Sequence, residues 1–317
     1  MRLLFSRTFL EKRGRTVHDL IIIGAGTAGL TAAIYGIRAG LSVKIIEKAF
    51  YGGQIISALS IENYPGMPGV NGADFAVALY NQAVRLGAEI LYEKIESAAL
   101  AGDVKSIVTS SGVHRAKAVV IATGAQPKKL GVPGEDAWIG RGVAFCATCD
   151  APLYKGKAVA VVGGGNVAVS DALILSELCR AVTVVHRFSN FESEELQLEQ
   201  AKAKANVRFI TDSIVKEIVG GQKIERLVVE SKLSGQTTEI AVDGVFVAIG
   251  SEPDNRVFAP EVQLDEGGYI VAGEDCRTNV PGVFAAGDAR TKQIRQIVTA
   301  AADGSVSALA AKEYLRA

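Results

Sequence analysis

This chain of 317 residues is short of several things, and each shortage removes a class of function. It lacks a charge imbalance: Lys+Arg and Asp+Glu number 34 each, so no whole-molecule field draws it to nucleic acid or to an anionic membrane. It lacks a disulfide framework. Four cysteines in a chain of this length suit a reducing, cytoplasmic compartment, and the isolated Cys179 and Cys276 read as packing residues. Its three histidines, His18, His114 and His186, stand in unrelated contexts, and no Ser-His-Asp arrangement emerges. An unbroken membrane-length run is lacking as well. The longest uncharged stretch, Leu20 to Ile37, reaches the length of a span, but Gly24, Gly26 and Gly29 interrupt it. Its β-branched start reads as a buried strand that leads into a turn and a helix.

What is present is ordinary globular composition, 49% apolar and 21% charged, in a chain long enough for two domains. The first sixteen residues are basic and carry Phe, Leu, Ser and Thr, like a weak transit peptide. Glu11 and the short length favour a disordered extension, so the folded part is taken to begin near Val17.

Two stretches share one pattern. Leu20 to Ile23 is a short apolar strand, Gly24-Ala-Gly-Thr-Ala-Gly29 follows at once, Leu30 to Ala39 is helical, and Ser42 to Glu47 is a second strand. Ala158 to Val162, Gly163-Gly-Gly-Asn-Val-Ala168, Val169 to Leu178 and Val182 to His186 repeat it. Further apolar strands at Ala118–Ala122 and Gly244–Ile249 close one sheet each, and proline-containing polar stretches follow both. The expected fold class is α/β, with two Rossmann-like nucleotide-binding domains, the second inserted into the first. The expected boundaries are 17–127 with 256–317 for the outer domain and 128–255 for the inserted one.

A glycine cluster of this spacing is informative because it sits between a strand and a helix. Gly24 permits the tight turn, Gly26 lets backbone approach a pyrophosphate, and Gly29 lets helix and strand pack closely. Glu47 ends the second strand, where a carboxylate holds a ribose diol. In the second cluster Gly163, Gly165, Asn166 and Ala168 form a variant nucleotide turn. Its ribose acid is missing, since the strand ends in His186-Arg187, and a basic residue there suits a 2′-phosphate. Cys146-Ala-Thr-Cys149-Asp150 is the third motif. Two thiols at this spacing on a helix turn can close a disulfide ring, and the first of such a pair commonly forms a thiolate near neutral pH. Half a zinc site and an inert packing pair are the other readings. No second Cys or His pair with ligand spacing accompanies the motif, so no metal is expected. Asp150 is placed to donate a proton to a leaving thiolate or a flavin, or to cap a turn.

Taken with Gly52-Gly-Gln54, Glu62-Asn-Tyr-Pro-Gly66, Ala122-Thr-Gly124 and Pro281-Gly-Val-Phe-Ala-Ala-Gly-Asp288, these motifs resemble the bacterial low-molecular-weight thioredoxin reductases, in that family's order from about Val17 onward. The resemblance implies an FAD-dependent disulfide reductase and a homodimer. It places FAD on Gly24, Gly26, Gly29, Glu47, Gly53, Gln54, Asn63, Thr123, Gly124, Gly287 and Asp288, with Arg295-Gln296 where the final helix meets the flavin. It further implies a relay from a donor through FAD to Cys146–Cys149 and on to a thioredoxin-like protein. In that relay Cys149 faces the flavin, Cys146 attacks the partner's disulfide, and Asp150 is the acid. Family members rotate the inserted domain during this cycle.

The chain departs from the family at the donor site. NADPH-using members carry His-Arg-Arg-x-x-x-Arg, whereas this sequence reads His186-Arg187-Phe188-Ser189-Asn190-Phe191-Glu192. A 2′-phosphate needs charge-assisted hydrogen bonds from such arginines, and Glu192 adds repulsion. NADPH, NADH and reduced ferredoxin therefore all stand as donors. Two other functions fit the same motifs: a dithiol oxidase that passes electrons to oxygen, and a non-catalytic flavoprotein redox sensor.

Overall fold

The structure is a computed structural model that describes residues 17–317 apart from Leu59 and Glu62. The extension over 1–16 and the first residue of Glu62-Asn-Tyr-Pro-Gly66 lie outside the described residues. Short runs of Val, Ile and Leu, each ended by glycine or polar residues, form the strands. In chain order the first segment holds β1 (Val17–Ile23), α1 (Thr27–Arg38), β2 (Val43–Glu47), α2 (Gly72–Arg85), β3 (Glu89–Tyr92), β4 (Ile95–Ala99), β5 (Lys105–Thr109), β6 (Gly112–Ile121) and β7 (Ala125–Pro127). Next come α3 (Glu135–Trp138), β8 (Val143–Ala144), α4 (Ala147–Asp150), β9 (Ala158–Val162), α5 (Asn166–Leu178), β10 (Ala181–Val185), α6 (Glu195–Lys202) and β11 (Val207–Ile210). β12 (Ser213–Gly220), β13 (Ile224–Ser231), β14 (Thr237–Ala241) and β15 (Gly244–Val247) follow, and β16 (Ser251–Pro253), β17 (Val283–Ala285) and α7 (Ile297–Tyr314) complete the order.

Both helices after the glycine turns begin three residues earlier than the sequence pattern suggests. The last small residue of each turn, Gly29 or Ala168, already lies inside the first helical turn.

The chain divides into two compact units. It passes from the first to the second between Gln126 and Pro127, and returns between Ser251 and Glu252. The connecting strands β7 and β16 pair with each other.

The sheet of the first unit runs β3-β2-β1-β6-β5-β4, with β17 on the second half of β6. β1 pairs in parallel with both β2 and β6. Leu20, Ile22, Ile45 and Val120 face Leu30, Ala33 and Ile34 of α1 and Ala308 and Ala311 of α7. Ile21, Ile23, Ile46 and Val119 face the other side, against Phe258 and Ile270. Burial on both faces is why these strands read as continuous apolar runs instead of alternating ones. Each such side chain contributes roughly 1.5–3 kcal/mol of transfer free energy.

The sheet of the second unit is parallel, in the order β11-β10-β9-β15-β8. One face packs on α5 through Val159, Val161, Val184, Ala172 and Leu175. The other packs on the antiparallel sheet β12-β13-β14 through Val162, Val185, Val245, Leu227 and Val229. Among the described residues, no helix is long and apolar enough to cross a membrane.

Candidate active site

At the end of β1, Gly24 has φ 106°, and a Cβ added there would lie 2.3 Å from the Ala122 carbonyl oxygen. A Cβ on Gly29 would lie 1.9 Å from the Gly24 carbonyl oxygen. These two glycines let β1, α1 and the end of β6 close on one another. Gly26 differs, because a Cβ there would meet no protein atom within 4 Å. Its bareness leaves space at the amino end of α1, a helix with no side-chain cap and no acid in its first turn. Unpaired amides and the helix dipole make such an end a site for a pyrophosphate.

Several of the other expected residues close around that turn. Glu47 accepts from the Ala25 amide at 2.8 Å and from the Ala49 amide at 2.9 Å, which fixes the carboxylate beside the glycines. The Gly52 amide donates to the Ala25 carbonyl at 2.8 Å, and Gly26 and Gly52 form a bridge, so Gly53 and Gln54 follow directly at the turn. Thr123 donates to Asn255 Oδ1 at 2.8 Å, and the neighbouring Gly124 has φ 71°. Fully buried Asn255 in turn donates to the carbonyls of Gly268 and Ala289. Gly287 sits against α1, where an added Cβ would lie 2.8 Å from that of Ala28. Asn63 donates to Gln296 Oε1 at 3.0 Å, and Gln296 caps α7 reciprocally with Thr299. Arg295 lies over the Tyr269 ring at 4.1 Å.

Asp288 has a buried Oδ1 with no hydrogen-bond partner among the described residues. Burial pushes its pKa up, against the pull of Lys292 and Arg295. A buried acceptor of this kind needs a donor, and a hydroxyl of a bound polyol is one. The loop that carries it is held from below by Asp303. Burial works to raise the Asp303 pKa, but hydrogen bonds from Arg290 and Lys292 prevail and hold it below the ordinary carboxylate value. Arg290 reaches both Asp303 oxygens at 2.8 Å, Lys292 donates at 2.8 Å, and the Gly287 amide donates at 2.9 Å. Sequence reasoning did not single out Asp303, Arg290 or Asn255. An acid inside the Ala-rich α7 is the signal that would have found Asp303.

In the second unit Gly163 has φ 152°, and an added Cβ would lie 2.2 Å from the Ala248 carbonyl oxygen. α5 starts at Asn166 with no side-chain cap and no acid in its first turn, and Ala168 is fully buried. Asn166 Oδ1 accepts from the Glu194 amide at 2.8 Å, and the Glu192 amide donates to the Gly164 carbonyl at 2.9 Å. Gly165 and Glu192 also form a bridge. His186 is buried under Gly164, tilted against Phe191, with Nε2 3.1 Å from the Asn190 carbonyl oxygen. Among the described residues, Arg187 lies 4.7 Å over the Phe188 ring after β10, and Lys232 lies 5.0 Å over the same ring. Lys232, from a loop far along the chain, was not legible in the motif.

Cys146 and Cys149 form a disulfide. Cys146 is the residue before α4, and its sulfur accepts from the Cys149 amide at 3.2 Å. Both cysteines and Asp150 are half-buried. Burial raises the Asp150 pKa above its ordinary carboxylate value. Burial, with help from the charge of Asp150, pushes Tyr154 up to about 12. Cys179 and Cys276 are free and buried.

Two dinucleotide-type turns and a redox disulfide within one chain define a nucleotide-dependent disulfide oxidoreductase. Comparison with known proteins agrees. The family model of the pyridine nucleotide-disulphide oxidoreductases matches residues 18–304. A thioredoxin reductase of Streptomyces clavuligerus is 42% identical over 95% of each chain. The crystal structure of thioredoxin reductase from Streptococcus pyogenes superposes with a TM-score of 0.89 at 39% identity, over 95% of this chain and 98% of that one. A ferredoxin-flavin thioredoxin reductase from Clostridium acetobutylicum superposes with a TM-score of 0.52 at 34% identity, over 94% of this chain and 98% of that one. The chain belongs to the pyridine nucleotide-disulphide oxidoreductase family and, within it, to the low-molecular-weight thioredoxin reductases. It is an FAD-dependent oxidoreductase acting on a disulfide.

Proposed function

We propose that this protein reduces the disulfide of a thioredoxin-like protein, drawing electrons from a nicotinamide nucleotide. The observation that carries the reading is the Cys146–Cys149 disulfide, closed across a short helix with the half-buried acid Asp150 beside it. FAD would be held by Gly24, Gly26, Gly29, Glu47, Gly53, Gln54 and Thr123 of the first unit, with Gly124, Gly287 and Asp288. By the family resemblance, Asn63, Arg295 and Gln296 would border the same site. Bound there, FAD supplies two-electron transfer between a donor and the disulfide. The orphaned Asp288 oxygen and the bare Gly26 support that placement.

The residues of the chain do the rest. Once reduced, Cys146 as a thiolate attacks the partner's disulfide and forms a mixed disulfide, with the partner's other sulfur as the leaving group. Cys149 then attacks Cys146, releases the reduced partner and restores the intramolecular bond. Asp150, whose pKa burial raises, is the proton source for a departing thiolate. The family resemblance supports a homodimer, and the cysteine usage supports a cytoplasmic setting.

The nicotinamide reading rests on α5, whose uncapped amino end follows Gly163, Gly165, Asn166 and Ala168. Arg187 and Lys232 leave some positive charge for a 2′-phosphate, so NADPH is preferred to NADH. Ferredoxin is the second reading. It is favoured by Phe188 and Glu192 in the phosphate-reading run and by the likeness to the ferredoxin-flavin enzyme. The function itself is tested with Cys146→Ser. The variant is expected to keep bound FAD and to lose thioredoxin reduction by at least about 10³-fold, as removal of a covalent nucleophile does. Undiminished turnover would overturn the assignment, and loss of FAD would mean the cysteine is misplaced relative to the flavin site.

A further inference from the structure

The run after β10 has lost two arginines to Phe188 and Glu192, yet positive charge returns to the same place from another part of the chain. β10 pairs in parallel with β9 as β2 pairs with β1, so the two strands hold equivalent places beside their glycine turns. The carboxyl end of such a strand meets the adenosine ribose of a bound dinucleotide. Glu47 stands there in the first unit, and His186-Arg187 in the second.

Lys232 follows β13, at a separation of 45 residues from Arg187, and backbone bonds fix it beside that strand end. The Ser213 amide donates to the His186 carbonyl at 3.0 Å, and the Asp212 amide to the Phe188 carbonyl at 3.3 Å. Asp212 has φ 48°, a left-handed conformation that aspartate tolerates, and its carbonyl accepts from the Lys232 amide at 2.7 Å. The pairing of Ser213 with Ser231 holds the same register between β12 and β13. Lys232 Nζ then donates to the Arg187 carbonyl at 3.0 Å and lies 5.0 Å from the centre of the Phe188 ring. The Arg187 guanidinium lies 4.7 Å from the same centre. All three side chains are exposed. Among the described residues neither cation forms a salt bridge; Glu230, close by on β13, pairs with Lys216 at 3.6 Å. The Arg187 carbonyl occupies one of the three N–H groups of the Lys232 ammonium, which leaves two for a ligand.

We propose that Lys232 is a specificity-determining residue for the electron donor: with Arg187 it receives the 2′-phosphate of NADPH, in place of the two missing arginines. The inference rests on the nicotinamide reading above and names the group that selects between the two nucleotides. An ammonium is a point charge whose donors turn to meet a phosphate oxygen, so it does not need the fixed geometry of an arginine fork. A charge-assisted bond to the phosphate is about twice as strong as a neutral one, and NADH offers only a hydroxyl at that position.

The test is calorimetric titration of the oxidised holoprotein with NADP+ and with NAD+, which differ only in the 2′-phosphate and require no electron transfer. The native protein is expected to bind NADP+ at least about tenfold more tightly. Lys232→Gln keeps a donor for the Arg187 carbonyl and removes the charge. It is expected to weaken NADP+ about tenfold and to leave NAD+ in place, while Lys232→Arg keeps the preference. A merely structural role, exerted through the Arg187 carbonyl, would survive in the Gln variant or would shift both nucleotides alike, and either result overturns the proposal. Equal affinity of the native protein for the two nucleotides also overturns it, and leaves the nicotinamide reading standing with NADH. Binding of neither nucleotide overturns this inference and the nicotinamide reading together.

Discussion

Asp303 accepts hydrogen bonds from Arg290, Lys292 and the Gly287 amide while almost wholly buried. Removing one partner of a buried charge network is expensive because the others are left without a counter-charge. Asp303→Ala is therefore expected to destabilise the first unit by roughly 3–5 kcal/mol, measured by urea unfolding followed through flavin fluorescence. An unchanged midpoint would show that the network is dispensable. The donor run is the second residue-scale case. Restoring charge with Phe188→Arg and Glu192→Arg adds charge-assisted hydrogen bonds of about 1.5–3 kcal/mol each. It should lower the apparent KM for NADPH at least about tenfold, while that for NADH stays put. An equal response to both nucleotides would mean these positions do not read the 2′-phosphate. Glu192 and Phe188 were legible as departures from a pattern. Asp303 and Asn255 were not, because a single sequence does not say which polar side chain a helix or loop turns inward.

At the scale of elements, the glycine turns separate folding from binding. Gly29→Ala would drive a Cβ to 1.9 Å from the Gly24 carbonyl oxygen, so α1 must shift from β1. Such overpacking costs roughly 1–3 kcal/mol, and thermal unfolding should report it. Gly26→Ala meets no protein atom within 4 Å and should leave unfolding unchanged, yet the purified protein should lose its flavin, read as the visible flavin absorbance relative to protein. Full flavin content in Gly26→Ala would remove the pyrophosphate from this turn. The strands β1, β6, β9, β10 and β15 were readable as short apolar runs, since strands buried on both faces have no polar alternation to hide them. The antiparallel sheet β12-β13-β14 was not. Its strands alternate with charged residues such as Glu217, Arg226 and Glu239, and their pairing depends on a sheet from elsewhere in the chain to cover them.

For the whole molecule, one chain carries two nucleotide-type units and places the disulfide on the inserted one. The α/β class and the repeated strand–turn–helix were legible because the pattern occurs twice. The donor was not, since Gly163 to Ala168 favours a nucleotide and Phe188 and Glu192 weaken the hold on its phosphate. The central claim is a path from a nicotinamide nucleotide to Cys146–Cys149. Its most direct test is anaerobic titration of the purified flavoprotein with NADPH and then NADH, following flavin absorbance in the native protein and in Cys146→Ser. Bleaching by NADPH is expected in both, with the native protein consuming more nucleotide before the flavin bleaches because its disulfide takes electrons too. No bleaching by either nucleotide, with ready bleaching by reduced ferredoxin, would contradict the account and make a protein the donor.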